Sequence, residues 1–196
     1  MDVRYRDARV EECPRVAKYI RDASDGMLDF LFDGNAGGLS ATEVLTFGLG
    51  DESRHDSYRS VAVAARGPDA ADLVGVVQFY PAAFHRIDEE MRSFLPGEKL
   101  SLFEEFYRSG VEDSLLVNAM FVDASYRRRG IGTKLLSLAA ERARSLGLGK
   151  LSLFVLAHNT GAQRVYRANG FRLAKEIRLP GDIGLGRGIH LMDCKI

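Results

Sequence analysis

The chain contains only two cysteines, Cys13 and Cys194, and they lie at opposite ends of the sequence. So few cysteines exclude a disulfide-rich scaffold, and free thiols are expected unless the two ends of the chain meet. The formal net charge is zero, with 27 basic and 27 acidic residues. Proteins that bind bulk nucleic acid normally carry a basic excess, so no nucleic-acid partner is expected.

Long apolar segments are also missing. No run of about 18 apolar residues is present, and the first residues lack the apolar core of a signal peptide, so no membrane partner is expected. Cysteine, histidine and carboxylate side chains are not grouped at metal-ligand spacing, which predicts no metal site. Together these absences predict a cytoplasmic protein.

The composition is that of an ordinary globular protein. Apolar residues make up 46% and charged residues 28% of the 196 residues. This length suits one domain with a substantial core, and neither repeats nor a linker divide the sequence. A single domain over residues 1–196 is therefore predicted.

The most informative segment is a strand followed by a glycine-bearing turn and a long helix. The strand is predicted over residues 115–122, the turn reads Arg127-Arg128-Arg129-Gly130-Ile131-Gly132, and the helix ends at Gly147. Glycines let a ligand approach the backbone, and the first N–H groups of a helix lack internal partners and lie at its positive end. The turn is therefore predicted to bind an anion, and a pyrophosphate above all. Its three arginines and Lys134 add full positive charge.

Three kinds of ligand are considered: a mononucleotide bound by a P-loop, a dinucleotide bound by a Rossmann unit, and coenzyme A. A P-loop ends in Gly-Lys-Ser/Thr after an upstream glycine, whereas Gly132-Thr133-Lys134 reverses that order. A dinucleotide-binding unit places an acidic residue at the end of the next strand, but the strand over residues 151–156 is followed by Ala157-His158-Asn159. Coenzyme A remains as the expected ligand.

Two motifs in this region resemble those of the GCN5-related N-acetyltransferases. Arg127-x-x-Gly130-x-Gly132 is similar to the acyl-coenzyme-A signature of that family. Its second motif is matched, at fixed offsets, by Asn159, Ala162, Tyr166 and Gly170-Phe171. The resemblance is close over residues 115–175. It implies an α/β fold with a mixed, mostly antiparallel central sheet of six to seven strands flanked by helices.

The other predicted elements fit this fold, with one addition. Between the strand that ends at Tyr80 and the strand that begins at Leu115, the chain inserts residues 81–113, which contain two helix-like pieces separated by Pro96-Gly97. This helical insert is predicted to pack onto the domain, and it is also a candidate to cover the acceptor site. Further strands are predicted at residues 3–6, 60–65, 73–80, 171–178 and 188–195, and helices at residues 12–23 and after the capping box Ser40–Glu43.

The resemblance implies how acetyl-coenzyme A, the expected cosubstrate, would be held. Main-chain N–H groups of the turn would cradle the pyrophosphate, and the arginine side chains would reach a phosphate or, for Arg127, brace the loop. The strand before the turn would pair with the pantetheine arm and polarise the thioester carbonyl through an N–H. Asn159 would cap the next helix and is a candidate to bond the pantetheine amide. The predicted cofactor-binding residues are Met120, Phe121, Val122, Arg127, Arg128, Arg129, Gly130, Ile131, Gly132, Thr133 and Asn159.

Tyr166 is the predicted general acid. A phenol with a pKa of about 10 is protonated at neutral pH and can donate its proton to the leaving sulfur. No base stands out, because the glutamate that serves in relatives acetylating ribosomal protein N-termini is replaced here by Phe154. A water chain is one substitute, and the side-chain candidates are His158, His190, Glu104, Glu105 and Tyr107.

The predicted function is transfer of an acetyl group from acetyl-coenzyme A to a primary amine of a small molecule. The resemblance implies direct attack in a ternary complex, and no cysteine lies near either motif to relay the acyl group. A protein N-terminal or lysine acetyltransferase and a non-catalytic acyl-coenzyme A sensor are the alternatives. A homodimer is a further expectation from the resemblance. Acidic candidates to attract a cationic amine are Asp29, Asp33, Glu104 and Glu105.

Overall fold

The computed structural model describes residues 2–32, 34, 37–67, 71–180, 183–186 and 188–196. These residues form a seven-stranded open sheet with the strand order β1-β2-β3-β4-β5-β7-β6. Strands β4 and β5 are parallel, and the other neighbouring strands are antiparallel. The strands are β1 (Arg4–Asp7), β2 (Val61–Arg66), β3 (Asp72–Pro81), β4 (Ser114–Val122), β5 (Lys150–Leu156), β6 (Arg172–Arg178) and β7 (Gly188–Lys195). The predicted mixed sheet of six to seven strands is confirmed.

Helices flank both faces of this sheet. They are α1 (Cys13–Ala23), α2 (Met27–Phe32), α3 (Ala41–Gly50), α4 (Glu89–Phe94), α5 (Gly97–Leu102), α6 (Glu104–Arg108), α7 (Ile131–Ser145) and α8 (Thr160–Ala168). Both cysteines are free thiols, and Cys13 is buried. None of the helices in the described part of the chain is long and apolar enough to cross a membrane.

Strand β2 shows why helices cover both faces. Its first five residues are all buried, and successive side chains of a strand point to opposite faces. Ala62 and Ala64 join the core beneath α7, whereas Val61, Val63 and Ala65 join the core beneath α1. The sheet is therefore packed between α1 on one face and α7 on the other.

The capping box predicted before α3 is present. The Ser40 hydroxyl accepts a hydrogen bond from the Glu43 backbone N–H at 3.3 Å, and the Glu43 carboxylate accepts one from the Ser40 N–H at 2.8 Å. These two bonds satisfy donors that a helix start leaves unpaired. The start of α3 is thus fixed by its own sequence.

The insert contains three short helices, α4, α5 and α6, rather than the two predicted pieces. The second predicted piece is interrupted at Phe103, whose backbone leaves helical geometry at φ −109° and ψ 12°. The side chain of Phe103 is fully buried in a third core cluster, which also contains residues of α2 and β7. The insert is thereby packed against the domain.

Candidate active site

Strands β4 and β5 separate halfway along their length. They pair from Ser114–Lys150 to Val117–Leu153, and no pairing is recorded beyond that point within the described strands. The register between β3 and β4 shifts at the same place, because Gln78 opposes Ala119 whereas Phe79 opposes Val117. Asn118 is therefore the extra residue of a β-bulge. A cleft of about 1200 Å³ lies along the edge that β4 exposes after the bulge.

The turn between β4 and α7 forms one wall of this cleft. Gly130 has φ 79° and Arg128 has φ 59°, so the chain bends sharply just before the helix begins at Ile131. The first intrahelical bond runs from the Lys134 N–H to the Gly130 carbonyl at 3.0 Å. The N–H groups before Lys134 consequently have no acceptor within the helix. A pyrophosphate fits this arrangement, because unpaired donors and the positive helix end meet at the cleft.

The three arginines of the turn differ in their placement. Arg127 donates from Nε to the Val122 carbonyl at 3.0 Å and lies over the Phe121 ring, so it braces the turn against β4. Arg128 lines the cleft. The guanidinium of Arg129 lies over the Tyr126 ring, and Arg129 does not belong to the described lining. Apart from Arg129, the lining contains every predicted cofactor-binding residue.

Helix α8 begins at the opposite wall. The Asn159 side chain accepts a hydrogen bond from the Ala162 N–H at 3.1 Å and so caps the helix, as the sequence predicted. Gln163 donates to the carbonyls of Leu156 and Ala157, which ties α8 to the end of β5. The fold in this way orients Tyr166, which is buried, packs near Phe171 and lines the cleft.

Burial also affects the chemistry of Tyr166. It raises the pKa of the phenol to about 12 because the charged phenolate is penalised away from water. The side chain therefore keeps its proton across the physiological range. This is the protonation state that a general acid requires.

Most of the side chains predicted as candidate bases lie outside the cleft lining. His158 bonds Asp25 at 3.2 Å, Glu104 pairs with Arg108 and Glu105 pairs with Lys175. His190 lies on β7, where its Nδ1 is buried without a hydrogen-bond partner among the described residues. None of these four belongs to the described lining, whereas Tyr107 does. Burial raises the pKa of Tyr107 further above its usual value, which makes it a poor base at neutral pH.

The sequence did not mark four further residues of the cleft lining, which are His55, Tyr80, His85 and Asn118. They come from separate loops and strands, and no local motif marks them. His85 donates from Nε2 to the Phe106 carbonyl at 3.3 Å, since a carbonyl can only accept. Burial lowers the pKa of His85 to about 4, so its imidazole is neutral at physiological pH.

Three of the four acidic residues proposed to attract an amine lie outside the described cleft lining. Asp29 pairs with Arg21 at 2.8 Å, and neither Asp29, Glu104 nor Glu105 belongs to the described lining. Asp33 lies outside the described residues.

Solved structures of N-acetyltransferases share the overall fold of this chain. An N-acetyltransferase from Staphylococcus aureus Mu50 has the same fold, with a TM-score of 0.67 and 19% identity over 97% of this chain and 99% of that one. The paiA N-acetyltransferase from Thermoplasma acidophilum in complex with coenzyme A also shares it, with a TM-score of 0.58 and 16% identity over the full length of both chains. The profile of the Acetyltransferase (GNAT) family matches residues 42–171. The chain belongs to this family, as the two motifs predicted.

Two proteins of Bacillus subtilis (strain 168) are similar over shorter segments. The Uncharacterized N-acetyltransferase YycN is 43% identical over 47 residues, which are 24% of this chain and 30% of that protein. The protein described as "Putative phosphinothricin acetyltransferase YwnH" is 29% identical over 93 residues, which are 47% of this chain and 52% of that protein. The matches therefore span about a third and about half of the lengths of these relatives.

Proposed function

We propose that the protein transfers the acetyl group of acetyl-coenzyme A to a primary amine of a small molecule. One observation carries the proposal: a single cleft joins the exposed N-terminus of α7, the unpaired edge of β4 and the phenol of Tyr166. Those three features supply what acyl transfer from a thioester needs, which is a cradle for the donor, a polarising N–H and a proton source.

In this proposal acetyl-coenzyme A is held mainly by backbone groups, at what we call the donor end of the cleft. The N–H groups from Arg128 to Thr133 would bind the pyrophosphate, and the edge of β4 from Met120 to Val122 would pair with the pantetheine arm. That edge has hydrogen-bonding groups to offer because β5 has already separated from β4. Asn159 would reach the pantetheine amide from the other wall.

The reaction follows from this placement. The amine nitrogen attacks the thioester carbon while an N–H of β4 stabilises the developing charge on the carbonyl oxygen. The carbon–sulfur bond breaks, and Tyr166 donates its proton to the sulfur. In this scheme the amine attacks directly, because neither Cys13 nor Cys194 belongs to the described lining and neither can relay the acyl group.

A small-molecule acceptor is favoured over a protein by the shape of the acceptor end, which is the part of the cleft lined by His55, Tyr80, His85 and Asn118. Residues of α4 and α6 line the cleft there, together with residues of α2 and α3, so the acceptor end is walled by helices on several sides. An extended polypeptide needs an open groove instead. The name of the similar protein YwnH contains phosphinothricin, a small compound with an amine, and this also favours a small-molecule acceptor.

The experiment measures release of free thiol from acetyl-coenzyme A by the purified protein, with a panel of small amines and, separately, short peptides. We expect release that depends on a small amine, together with the acetylated amine by mass spectrometry. Preference for peptides would favour a protein acetyltransferase. Binding of acetyl-coenzyme A by calorimetry without any thiol release would favour the sensor, and absence of binding would refute the whole assignment.

Two further parts of the proposal concern the protein as a whole. A homodimer is proposed from the resemblance to the family, and sedimentation equilibrium measures it directly. A cytoplasmic location is proposed from the sequence, and fractionation of cells that produce the natural protein tests it.

A further inference from the structure

The described lining of the cleft carries more negative than positive charge away from the turn before α7. Apart from the arginines of that turn, it contains two arginines, Arg54 and Arg86, and six carboxylates. Arg54 is already engaged, because its guanidinium bonds both Asp56 and Glu90. The six carboxylates are those of Asp22, Asp25, Asp51, Asp56, Asp88 and Glu90. This excess of negative charge attracts a cationic ligand.

Asp88 is the carboxylate that is best placed to bind a cation. It is half-buried, and it caps α4 by accepting a hydrogen bond from the Met91 N–H at 2.8 Å. No basic side chain pairs with it among the described residues. Burial raises the pKa of the neighbouring phenol of Tyr107, and the charge of Asp88 raises it further. Because water screens a half-buried carboxylate only in part, Asp88 attracts a cation more strongly than a fully solvated carboxylate does.

His85 provides an independent, uncharged acceptor in the same region. Only 8% of this residue is exposed, and its ring stacks on that of Tyr107 with the centroids 5.1 Å apart. Because Nε2 donates to the Phe106 carbonyl, the lone pair of the neutral imidazole lies on Nδ1. Nδ1 has no partner among the described residues and is not one of the atoms that they enclose unpaired, so it opens onto the cleft. A buried acceptor of this kind calls for a donor, and an ammonium N–H supplies one.

A hydrogen-bond chain ties this region to the bulge of β4. Gln78 donates from Nε2 to the Asp56 carbonyl at 2.6 Å, and its Oε1 accepts from the Asn118 Nδ2 at 2.8 Å. The Asn118 Oδ1 then accepts from the Tyr80 hydroxyl at 2.9 Å. Tyr80 is also close enough to Tyr107 for the two phenols to interact electrostatically. Tyr80 therefore joins the edge of β4, at which the acetyl group is proposed to lie, to the neighbourhood of Tyr107.

We propose that the acceptor is a diamine. One nitrogen attacks the acetyl group beside Tyr80, and the second, as an ammonium, binds the carboxylate of Asp88 and the Nδ1 atom of His85. An ammonium has three N–H donors, so it can bond a carboxylate and an imidazole at once. The inference rests on the proposed acetyl transfer and names its acceptor class.

The decisive experiment compares three acceptors of nearly equal length that differ only at the end away from the reacting nitrogen. Putrescine carries a second ammonium there, pentylamine a methyl group and 5-aminopentanoate a carboxylate. With saturating acetyl-coenzyme A, we expect kcat/KM for putrescine to exceed that for pentylamine at least about tenfold, and 5-aminopentanoate to be the slowest. This margin is larger than the advantage of about twofold that two equivalent nitrogens give to putrescine. A smaller ratio, or a faster reaction of 5-aminopentanoate, would overturn the inference.

Failure of this inference and failure of the proposed function have different signatures. Acetylation of other amines in the panel without a preference for putrescine would overturn the diamine and leave acetyl transfer intact. Thiol release with no amine at all would count against the proposed function itself.

Asp88→Asn isolates the charge of the carboxylate. Asparagine caps a helix as well as aspartate does, so the bond from the Met91 N–H is kept and the start of α4 stays intact. We expect the ratio of kcat/KM for putrescine to that for pentylamine to fall about tenfold. Asp123→Asn is the matched control, because Asp123 accepts from the Ser125 N–H in the same way and does not belong to the described lining. An unchanged ratio in Asp88→Asn, or an equal fall in both variants, would overturn the assignment of Asp88.

His85→Phe tests the uncharged acceptor. The variant removes Nδ1 and keeps an aromatic ring against Phe106, Tyr107 and Phe154. The ratio of kcat/KM for putrescine to that for pentylamine should fall about three- to tenfold. Since both amines are measured on the same sample, a general loss of stability affects them equally and leaves the ratio unmoved. A ratio equal to that of the natural protein would remove His85 from the acceptor site.

Discussion

The imidazole of His85 packs against the phenyl ring of Phe154, with the ring centroids 4.7 Å apart. His85 comes from the segment after β3 and Phe154 from β5, so this contact joins the insert to the sheet. The imidazole also meets the rings of Phe106 and Tyr107. A histidine is thus enclosed by aromatic rings where the insert meets the sheet.

This enclosure makes the stability of the protein depend on pH. In the unfolded chain a histidine takes up a proton below about pH 6.5, whereas burial holds the pKa of His85 at about 4 in the fold. The contribution of His85 to the free energy of unfolding is fully present above pH 6.5. It is lost as the pH falls towards 4, by roughly 3 kcal/mol. In His85→Gln, the free energy of unfolding measured with urea should therefore fall less between pH 7.5 and pH 4.5 than it does in the natural protein, by about this amount.

A second histidine provides the control for that experiment. His158 is half exposed and bonds Asp25 at the surface. His158→Gln should therefore keep the acid-dependent loss of stability that the natural protein shows. The same slope in His85→Gln as in the natural protein would contradict the assignment of that loss to His85.

Replacement of the Tyr166 hydroxyl tests the proton donor. Tyr166→Phe should lower kcat about 10²- to 10³-fold, because general acid catalysis contributes on this order, while the dissociation constant of acetyl-coenzyme A stays the same. Since burial raises the pKa of Tyr166 to about 12, kcat should not decline up to about pH 10 in the natural protein. Steady-state kinetics and calorimetry measure the two quantities. Tyr58→Phe is the matched control, because the Tyr58 hydroxyl bonds Glu52 outside the cleft lining.

The turn before α7 and the cap of α8 could be predicted from the sequence because their determinants are local. Left-handed backbone at Gly130, the helix start after it and the side-chain cap by Asn159 each depend on a few neighbouring residues. The strand before the turn is apolar and continuous, which is typical of a strand buried on both faces. Sequence patterns therefore located this part of the fold to within a few residues.

The acceptor end could not be predicted in this way. Its hydrogen-bond chain joins Asp56, Gln78, Asn118 and Tyr80, which are up to 62 positions apart and meet only through sheet register. The extra residue at Asn118 leaves no mark in the hydrophobic pattern of β4. The glutamates of α6 do not belong to the described cleft lining, because Phe106 of the same helix is buried and the acidic face points towards solvent.

The left-handed glycine before α7 offers a test of the donor cradle. Gly130 has φ 79°, a conformation that costs an alanine about 1–2 kcal/mol, so Gly130→Ala should lower the free energy of unfolding and also reorient the first N–H groups of α7. Loss of one aligned bond to a charged phosphate should weaken acetyl-coenzyme A about tenfold. Calorimetric titration and urea unfolding give the two values.

The other end of the same helix supplies the control. Gly147 has φ 74°, and a Cβ there would meet no atom within 4 Å, as at Gly130. Gly147→Ala should therefore cost similar stability and leave acetyl-coenzyme A affinity unchanged. Equal weakening of the cofactor by both variants would mean that affinity follows general stability and that the turn has no special part in binding.

The glycine at Gly75 of β3 tests how the sheet positions the cradle. A Cβ there would lie 3.0 Å from the Phe121 carbonyl oxygen and 3.4 Å from Ile131 and Leu135 of α7, so Gly75→Ala must displace β4 or α7 by a few tenths of an ångström. Such overpacking should lower the free energy of unfolding by about 1–3 kcal/mol. It should also weaken the binding of acetyl-coenzyme A severalfold, because in the proposed binding mode the ligand contacts both displaced elements. Gly50→Ala, where a Cβ meets nothing within 4 Å, should leave cofactor affinity unchanged and should not lower the free energy of unfolding. Unaltered cofactor affinity in a destabilised Gly75→Ala would show that the ligand does not depend on the spacing between β4 and α7.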